Sequence, residues 1–150
     1  MKKITLILSV IFLVGCSGQS ENIDSQSIDK NETFNWRLVT SWPKNYPGLG
    51  MAPERIADLV EEMSDGQMKI TVYGAEEQVP AFGVFDAVSS GSHQMGHSGG
   101  YFWKGKVPAA QFFTSVPFGL TADEINAWVN RGGGLELWRE IYAPFNIYPI

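Results

Sequence analysis

Strand-like segments alternate with segments of helical periodicity along this chain, and that order limits its fold more than any other feature. Residues 36–42 and 68–73 are rich in β-branched and aromatic side chains and partly alternate in polarity, which predicts two strands. Between them, apolar side chains at i, i+3, i+4 and i+7 predict an amphipathic helix over 52–64. Its apolar positions are Ile56, Leu59, Val60 and Met63. We therefore expect an α/β domain with a mostly parallel sheet.

The same alternation continues after the second strand. Pro80 suits the first turn of a helix, and Phe82, Phe85 and Val88 follow at helical spacing, so a short helix is predicted to close near Gly91. A brief apolar segment around residue 95 predicts a third strand.

Two more helices and a final strand are predicted in the last third of the chain. Thr121 and Glu124 have the spacing of a capping box, which marks the start of a helix. Residues 135–142 resume a helical pattern after three glycines, and residues 145–150 resemble a strand that is just beginning. Because no helix or polar segment follows, we expect the chain to be truncated within its fold.

The first residues predict export. A basic start and an uncharged run over 4–14 precede Cys16, the only cysteine. We interpret 1–15 as a signal peptide, Cys16 as the site of lipidation, 16–33 as a flexible tether and 34–150 as the folded part, in the periplasm and anchored to a membrane. Loss of Lys2 and Lys3 with the leader changes the formal net charge from −5 to −7, which disfavours nucleic acid as a partner.

A glycine loop followed by three aromatic residues is the strongest candidate site. Ser98 precedes two glycines, and Tyr101, Phe102 and Trp103 follow them directly. Ligands of open α/β sheets bind outside the carboxyl ends of strands, so this stretch predicts one wall of a small-molecule pocket. The alternative is that the aromatic residues are core and the glycines form a plain turn.

No catalytic or metal-binding constellation stands out in the sequence. His93 and His97 are four residues apart, but the glycines around them argue against a helix that would present both to zinc. We expect these histidines to hydrogen-bond to the backbone. No serine has a nucleophile-elbow context, so an enzyme is disfavoured.

Several ordered motifs identify a family resemblance. The stretches VPAFGVFDAVSSG, MGHSGGYFWKGKVPAAQFF, VPFGLTADEINAW and GGGLELW, with residues 36–48, resemble the solute-binding subunits of tripartite ATP-independent periplasmic (TRAP) transporters. The resemblance covers nearly all of 34–150 and is greatest to the branch that binds 2-oxo acids. It implies a periplasmic binding protein-like fold of two α/β lobes, of which this chain holds mainly the first lobe and the start of the second.

The resemblance also implies a function and a set of site residues. Such a receptor captures a small carboxylate, such as pyruvate, and delivers it to membrane permease subunits. The pocket-wall positions that match the family are Ser41 and Trp42, 78–80 and 98–103. Of these, the expected substrate-binding residues are Trp42, Gln78, Ser98, Tyr101, Phe102 and Trp103. Tyr101 is expected to face the ligand, with Phe102 and Trp103 excluding water. The arginine that clamps the carboxylate, and the residues that hold a bridging sodium ion, belong to the second lobe, so no cofactor is expected in this chain.

Two questions stay open at this point. The loop over 75–79 departs from the commoner family pattern, which leaves the identity of the ligand open. The alternatives to a receptor are a secreted hydrolase or lyase with catalytic residues beyond residue 150, and a structural lipoprotein.

Overall fold

The computed structural model describes residues 32–150. The predicted signal peptide, the lipidation at Cys16 and nearly all of the predicted tether lie outside the described residues. Among the described residues, no helix combines the length and the apolar character needed to span a bilayer.

A parallel sheet organises the described part of the chain. Its strands are β1 (Phe34–Thr40), β2 (Met68–Tyr73) and β3 (Met95–His97), in the order β2-β1-β3, and both pairings are parallel. The prediction of an α/β fold with a parallel sheet and flanking helices is confirmed. In the register, Leu38 of β1 lies beside Val72 on one side and Met95 on the other.

The helix between β1 and β2 forms where it was predicted, but only part of the predicted apolar face meets the sheet. Of the predicted positions, Val60 packs against the core. Helix α1 (Met51–Met63) turns Pro53 and Ala57 inward, and Ala57 packs with Leu38 of β1. Ile56 is 46% exposed and Met63 is 76% exposed, although the periodicity made both core candidates. Two adjacent rows of α1 are apolar, and contact with the sheet selects only one of them.

The next segment begins with a tight turn rather than a regular helix. Pro80 has an extended ψ of 154°, a 3-10 helix spans Ala81–Gly83, and helix α2 spans Val84–Ser89. The helix therefore starts later than predicted, because Pro80 precedes the turn and does not lie within a helix. Val84 and Phe85 are buried, whereas Phe82 is 68% exposed.

Several segments of the second half of the chain pack around Phe85 of α2. A 3-10 helix (Pro108–Phe113) leads to helices α3 (Ala122–Arg131) and α4 (Gly134–Tyr142). The predicted capping box is confirmed: Thr121 and Glu124 exchange side-chain and backbone hydrogen bonds, which lower the pKa of the Glu124 carboxyl. Phe85, Val107, Ala110 and Tyr142 form the buried centre of this half.

The strand predicted over 145–150 is wrong. A 3-10 helix, Ala143–Phe145, follows α4, and Asn146 then adopts a left-handed φ of 56° that reverses the chain. Ile147 packs against the cluster around Phe85, and the carbonyl of Pro149 accepts a hydrogen bond from Arg139. The segment therefore returns onto α4, where Ile147 is half-buried and Pro149 is buried, instead of extending along the sheet. Tyr148 and Ile150 stay exposed.

Candidate functional site

The carboxyl ends of the strands meet at one edge of the sheet because all of them run parallel. Thr40, the last residue of β1, pairs with His97, the last residue of β3, and β2 ends beside them at Tyr73. Ser41 and Ser98 directly follow β1 and β3. This edge is where open α/β sheets bind ligands, so the fold brings the residues predicted after separate strands to one place.

Hydrogen bonds hold this edge together. The Ser41 amide donates to the carbonyl of His97 (3.0 Å), and the Ser41 hydroxyl donates to the carbonyl of Ala81 (2.6 Å) and also contacts the Ser98 hydroxyl. Thr40 is completely buried, and its hydroxyl accepts a hydrogen bond from the amide of Trp42 at 3.1 Å. The two hydroxyl contacts of Ser41 thereby join residues that are 40 and 57 positions apart in the sequence.

Five rings form a continuous surface above these bonds, which we call the aromatic wall. Its centroid separations are 5.0 Å for Trp42 and His97, 6.2 Å for Trp42 and Phe102, 4.9 Å for Phe82 and Phe102, and 4.5 Å for Tyr101 and Phe102. Phe82 and Tyr101 are exposed, while Trp42 and Phe102 are half-buried. The wall is therefore an apolar surface that another group can contact.

Trp103 does not join the aromatic wall. Its indole N–H donates to the Tyr142 hydroxyl at 2.6 Å, and its ring lies 5.3 Å from that of Phe85. The core interpretation of the three aromatic residues thus holds for Trp103, while Tyr101 and Phe102 lie at the sheet edge. The role of Trp103 in excluding water from the ligand stays a prediction.

The glycine loop approaches its own chain rather than open space. A Cβ at Gly99 would lie 2.6 Å from the ring of Tyr101, and one at Gly100 would lie 2.5 Å from the carbonyl oxygen of Ala110. Both glycines are buried. Their missing side chains therefore let Tyr101 fold back and let the following segment pack closely.

Gln78 is exposed, in the loop between β2 and the turn at Ala81–Gly83. Phe82 and His97, in contrast, belong to the wall although sequence reasoning did not select them. Phe82 was read as a position on a helix, and the pairing of His97 with Thr40 depends on strand register, which the sequence does not show.

Hydroxyl groups, rather than backbone atoms, are the side-chain partners of both histidines. The Nδ1 atom of His97 lies 3.4 Å from the Thr40 hydroxyl, and that of His93 lies 3.1 Å from the Ser92 hydroxyl. The expectation of backbone partners for the rings is wrong, because strand register places the Thr40 hydroxyl beside His97 and Ser92 is the chain neighbour of His93. Burial lowers the pKa of both histidines, and the charge of Arg37 lowers that of His93 further.

These lowered pKa values predict a loss of stability in mild acid. Both histidines stay neutral in the fold at pH values where the unfolded chain, with a pKa of about 6.5, already binds protons. The free energy of unfolding should be at its full value above that pH and fall as the pH drops towards 5.5. Chemical unfolding between pH 7.5 and 5.5 measures this slope. A double variant, His93→Gln with His97→Gln, should flatten it, and an unchanged slope would contradict the assignment.

Comparison with known proteins gives consistent relatives. The monocarboxylate 2-oxoacid-binding periplasmic protein of Nostoc sp. strain PCC 7120 is 47% identical over 112 residues, which cover 75% of this chain and 30% of that protein. A TRAP periplasmic solute-binding protein from Pseudoalteromonas atlantica T6c, solved with bound sodium and pyruvate, superposes with a TM-score of 0.74 at 46% identity. Its counterpart from Colwellia psychrerythraea, solved with calcium and pyruvate, gives 0.74 at 42% identity.

The shared region is a minor part of each relative. Each structural match covers 76% of this chain but 35% of the solved one, so this chain spans about a third of the length of these relatives. These relatives are a 2-oxoacid-binding protein and two solute-binding proteins. The sequence model of one protein family, the bacterial extracellular solute-binding proteins of family 7, matches residues 38–148 of this chain. The matched region includes β2, β3 and every residue of the aromatic wall. This chain therefore belongs to family 7 of the bacterial extracellular solute-binding proteins.

Proposed function

We propose that this chain supplies one wall of a TRAP transporter receptor that captures a small carboxylate and delivers it to the membrane permease. A 2-oxo acid such as pyruvate is the ligand class that we infer, since two solved relatives hold pyruvate. The observation that carries the proposal is the aromatic wall at the carboxyl edge of a parallel sheet.

The composition of the wall suits a ligand with a short apolar end. Trp42, Phe102 and Tyr101 offer ring faces for a methyl group, and the Tyr101 hydroxyl is a donor at the exposed end. Gln78 is proposed to approach the ligand from the neighbouring loop. Trp103, which follows Phe102 directly in the chain, is proposed to anchor that end of the wall through its bond to Tyr142.

The carboxylate of the ligand needs a cationic partner that the wall does not contain. Its side chains are aromatic, and the one imidazole among them, His97, has a pKa lowered by burial. The chain carries a formal net charge of −5, which disfavours anions at long range. We therefore propose that the other lobe of the receptor clamps the carboxylate, and that closure of the two lobes on the ligand completes the site.

A cation accompanies pyruvate in the two solved relatives, as sodium in one and calcium in the other. Such hard cations require several oxygen ligands, usually six or more for calcium. The described residues contain no group of three or more His, Cys, Asp or Glu side chains that could hold a metal. At the sheet edge, the hydroxyls of Ser41 and Ser98 already bond to each other. The described residues at this edge therefore do not by themselves suit a cation.

The receptor is proposed to work in the periplasm, where the Nostoc relative is located by its name. We further propose that Cys16 carries a lipid that tethers it to a membrane near its permease. Radiolabelled fatty acid incorporation should be lost in a Cys16→Ser variant if that anchor exists.

Binding of pyruvate by the complete gene product tests the function. Calorimetry should show saturable binding of pyruvate without turnover, and Phe102→Ala should weaken it about tenfold by removing the central ring of the wall. Phe118→Ala is the matched control, since Phe118 is fully exposed and lies outside the wall. Failure to bind any small carboxylate, or consumption of the ligand, would overturn the proposal.

A further inference from the structure

Ser41 occupies the point where three segments of the site meet. It directly follows β1, its amide bonds to the last residue of β3, and its hydroxyl donates to the carbonyl of Ala81 at 2.6 Å. Ala81 begins the 3-10 helix that carries Phe82. Ser41 is only 8% exposed, so little of it is available to a ligand.

The number of hydroxyl protons determines whether Ser98 can donate a hydrogen bond to a ligand. A serine hydroxyl has one proton, and a carbonyl oxygen can only accept. The proton of Ser41 is committed to Ala81, so the proton in the short contact between the two serines must come from Ser98. The Ser98 oxygen then presents lone pairs alone. A carboxylate facing it would meet an acceptor with no proton between them, which is unfavourable.

Phe82 connects this network to the wall. Its ring meets Phe102 edge-on at 4.9 Å, although the side chain is 68% exposed. The backbone of the Phe82 turn is tied to the sheet through Ala81 and Ser41. Loss of that tie would let the turn, and one edge of the wall, move away from the strand ends.

We propose that Ser41 and Ser98 are positioning residues, which act on ligand affinity by fixing the Phe82 turn to the ends of β1 and β3 and not by contacting the ligand. This inference rests on the proposed function for its ligand and on the hydrogen bonds above for its mechanism. Ser98, selected from the sequence as a binding residue, thus serves the site through Ser41.

A double-mutant cycle in the complete gene product tests the proposal, with pyruvate affinity measured by calorimetry. Ser41→Ala should weaken binding about tenfold, and Ser98→Ala should weaken it less because the Ser41 bond to Ala81 survives. The double variant should bind no more weakly than Ser41→Ala alone, since Ser98 acts through Ser41. Ser98→Thr, which keeps the hydroxyl, should restore binding. Ser115→Ala, at an exposed serine outside the network, is the control.

Hydrogen exchange provides a readout that needs no ligand. Amide exchange over Ala81–Gly83 should accelerate about tenfold in Ser41→Ala and stay unchanged in Ser115→Ala. Additive losses of affinity in the cycle would show that Ser98 contacts the ligand and would overturn the proposal, as would unchanged exchange over this turn. If the parent protein binds no carboxylate but amide exchange over Ala81–Gly83 accelerates in Ser41→Ala, the proposed function is wrong. The hydrogen bond from Ser41 would then still be shown to fix the turn.

Discussion

Replacing Phe85 with alanine is expected to lower the free energy of unfolding by about 3–5 kcal/mol, the largest effect that we predict. Phe85 is 4% exposed, and several segments of the second half of the chain pack around it. Its ring contacts those of Trp103 at 5.3 Å, Phe145 at 5.3 Å and Tyr142 at 6.0 Å. Removing it leaves a cavity between elements that are far apart in sequence. Urea unfolding of the complete gene product, followed by tryptophan fluorescence, measures the loss.

Phe82→Ala is the matched control for Phe85→Ala, because the two phenylalanines are three residues apart and differ in burial. Phe82 is 68% exposed, so its removal should change stability by less than about 0.5 kcal/mol. It should still weaken ligand binding, because the ring belongs to the aromatic wall. Similar losses of stability in the two variants would show that Phe85 is not the centre of the packing.

Gly100→Ala is expected to cost about 3 kcal/mol, the second largest effect. An added Cβ would lie 2.5 Å from the carbonyl oxygen of Ala110 and 3.1 Å from its carbonyl carbon. Both are backbone atoms of a completely buried residue, so the clash cannot be relieved by rotating a side chain. The segment from Gly100 to Trp103 would have to move away from Pro108–Phe113. Thermal and urea unfolding measure the cost.

Gly105→Ala separates this clash from the general effect of replacing glycine. A Cβ at Gly105 meets nothing within 4 Å, and the residue does not have a positive φ. The substitution should be neutral or slightly stabilising, by up to about 1 kcal/mol, because alanine has fewer unfolded conformations to lose. Equal destabilisation at the two positions would contradict the packing argument at Gly100.

Much of the candidate site followed from order along the chain. The rule that ligands bind outside the carboxyl ends of strands placed the glycine loop and the aromatic residues after it at a pocket wall, whereas Trp42 was placed there by the family resemblance. The roles of Phe82, His97 and Trp103 did not follow. Each depends on a partner far away in sequence: Phe102 for Phe82, Thr40 for His97 and Tyr142 for Trp103.

Local signals account for what the sequence by itself determined: β2, the positions of α1 and α4, and the cap at Thr121. Propensity, periodicity and capping act between residues a few positions apart, so they can be recognised in the amino-acid sequence. Only the tertiary structure decided which row of α1 is buried and why the last apolar segment folds back onto α4 instead of forming a strand. Those outcomes depend on which surface each apolar side chain can cover, and that surface exists only after distant segments have packed together.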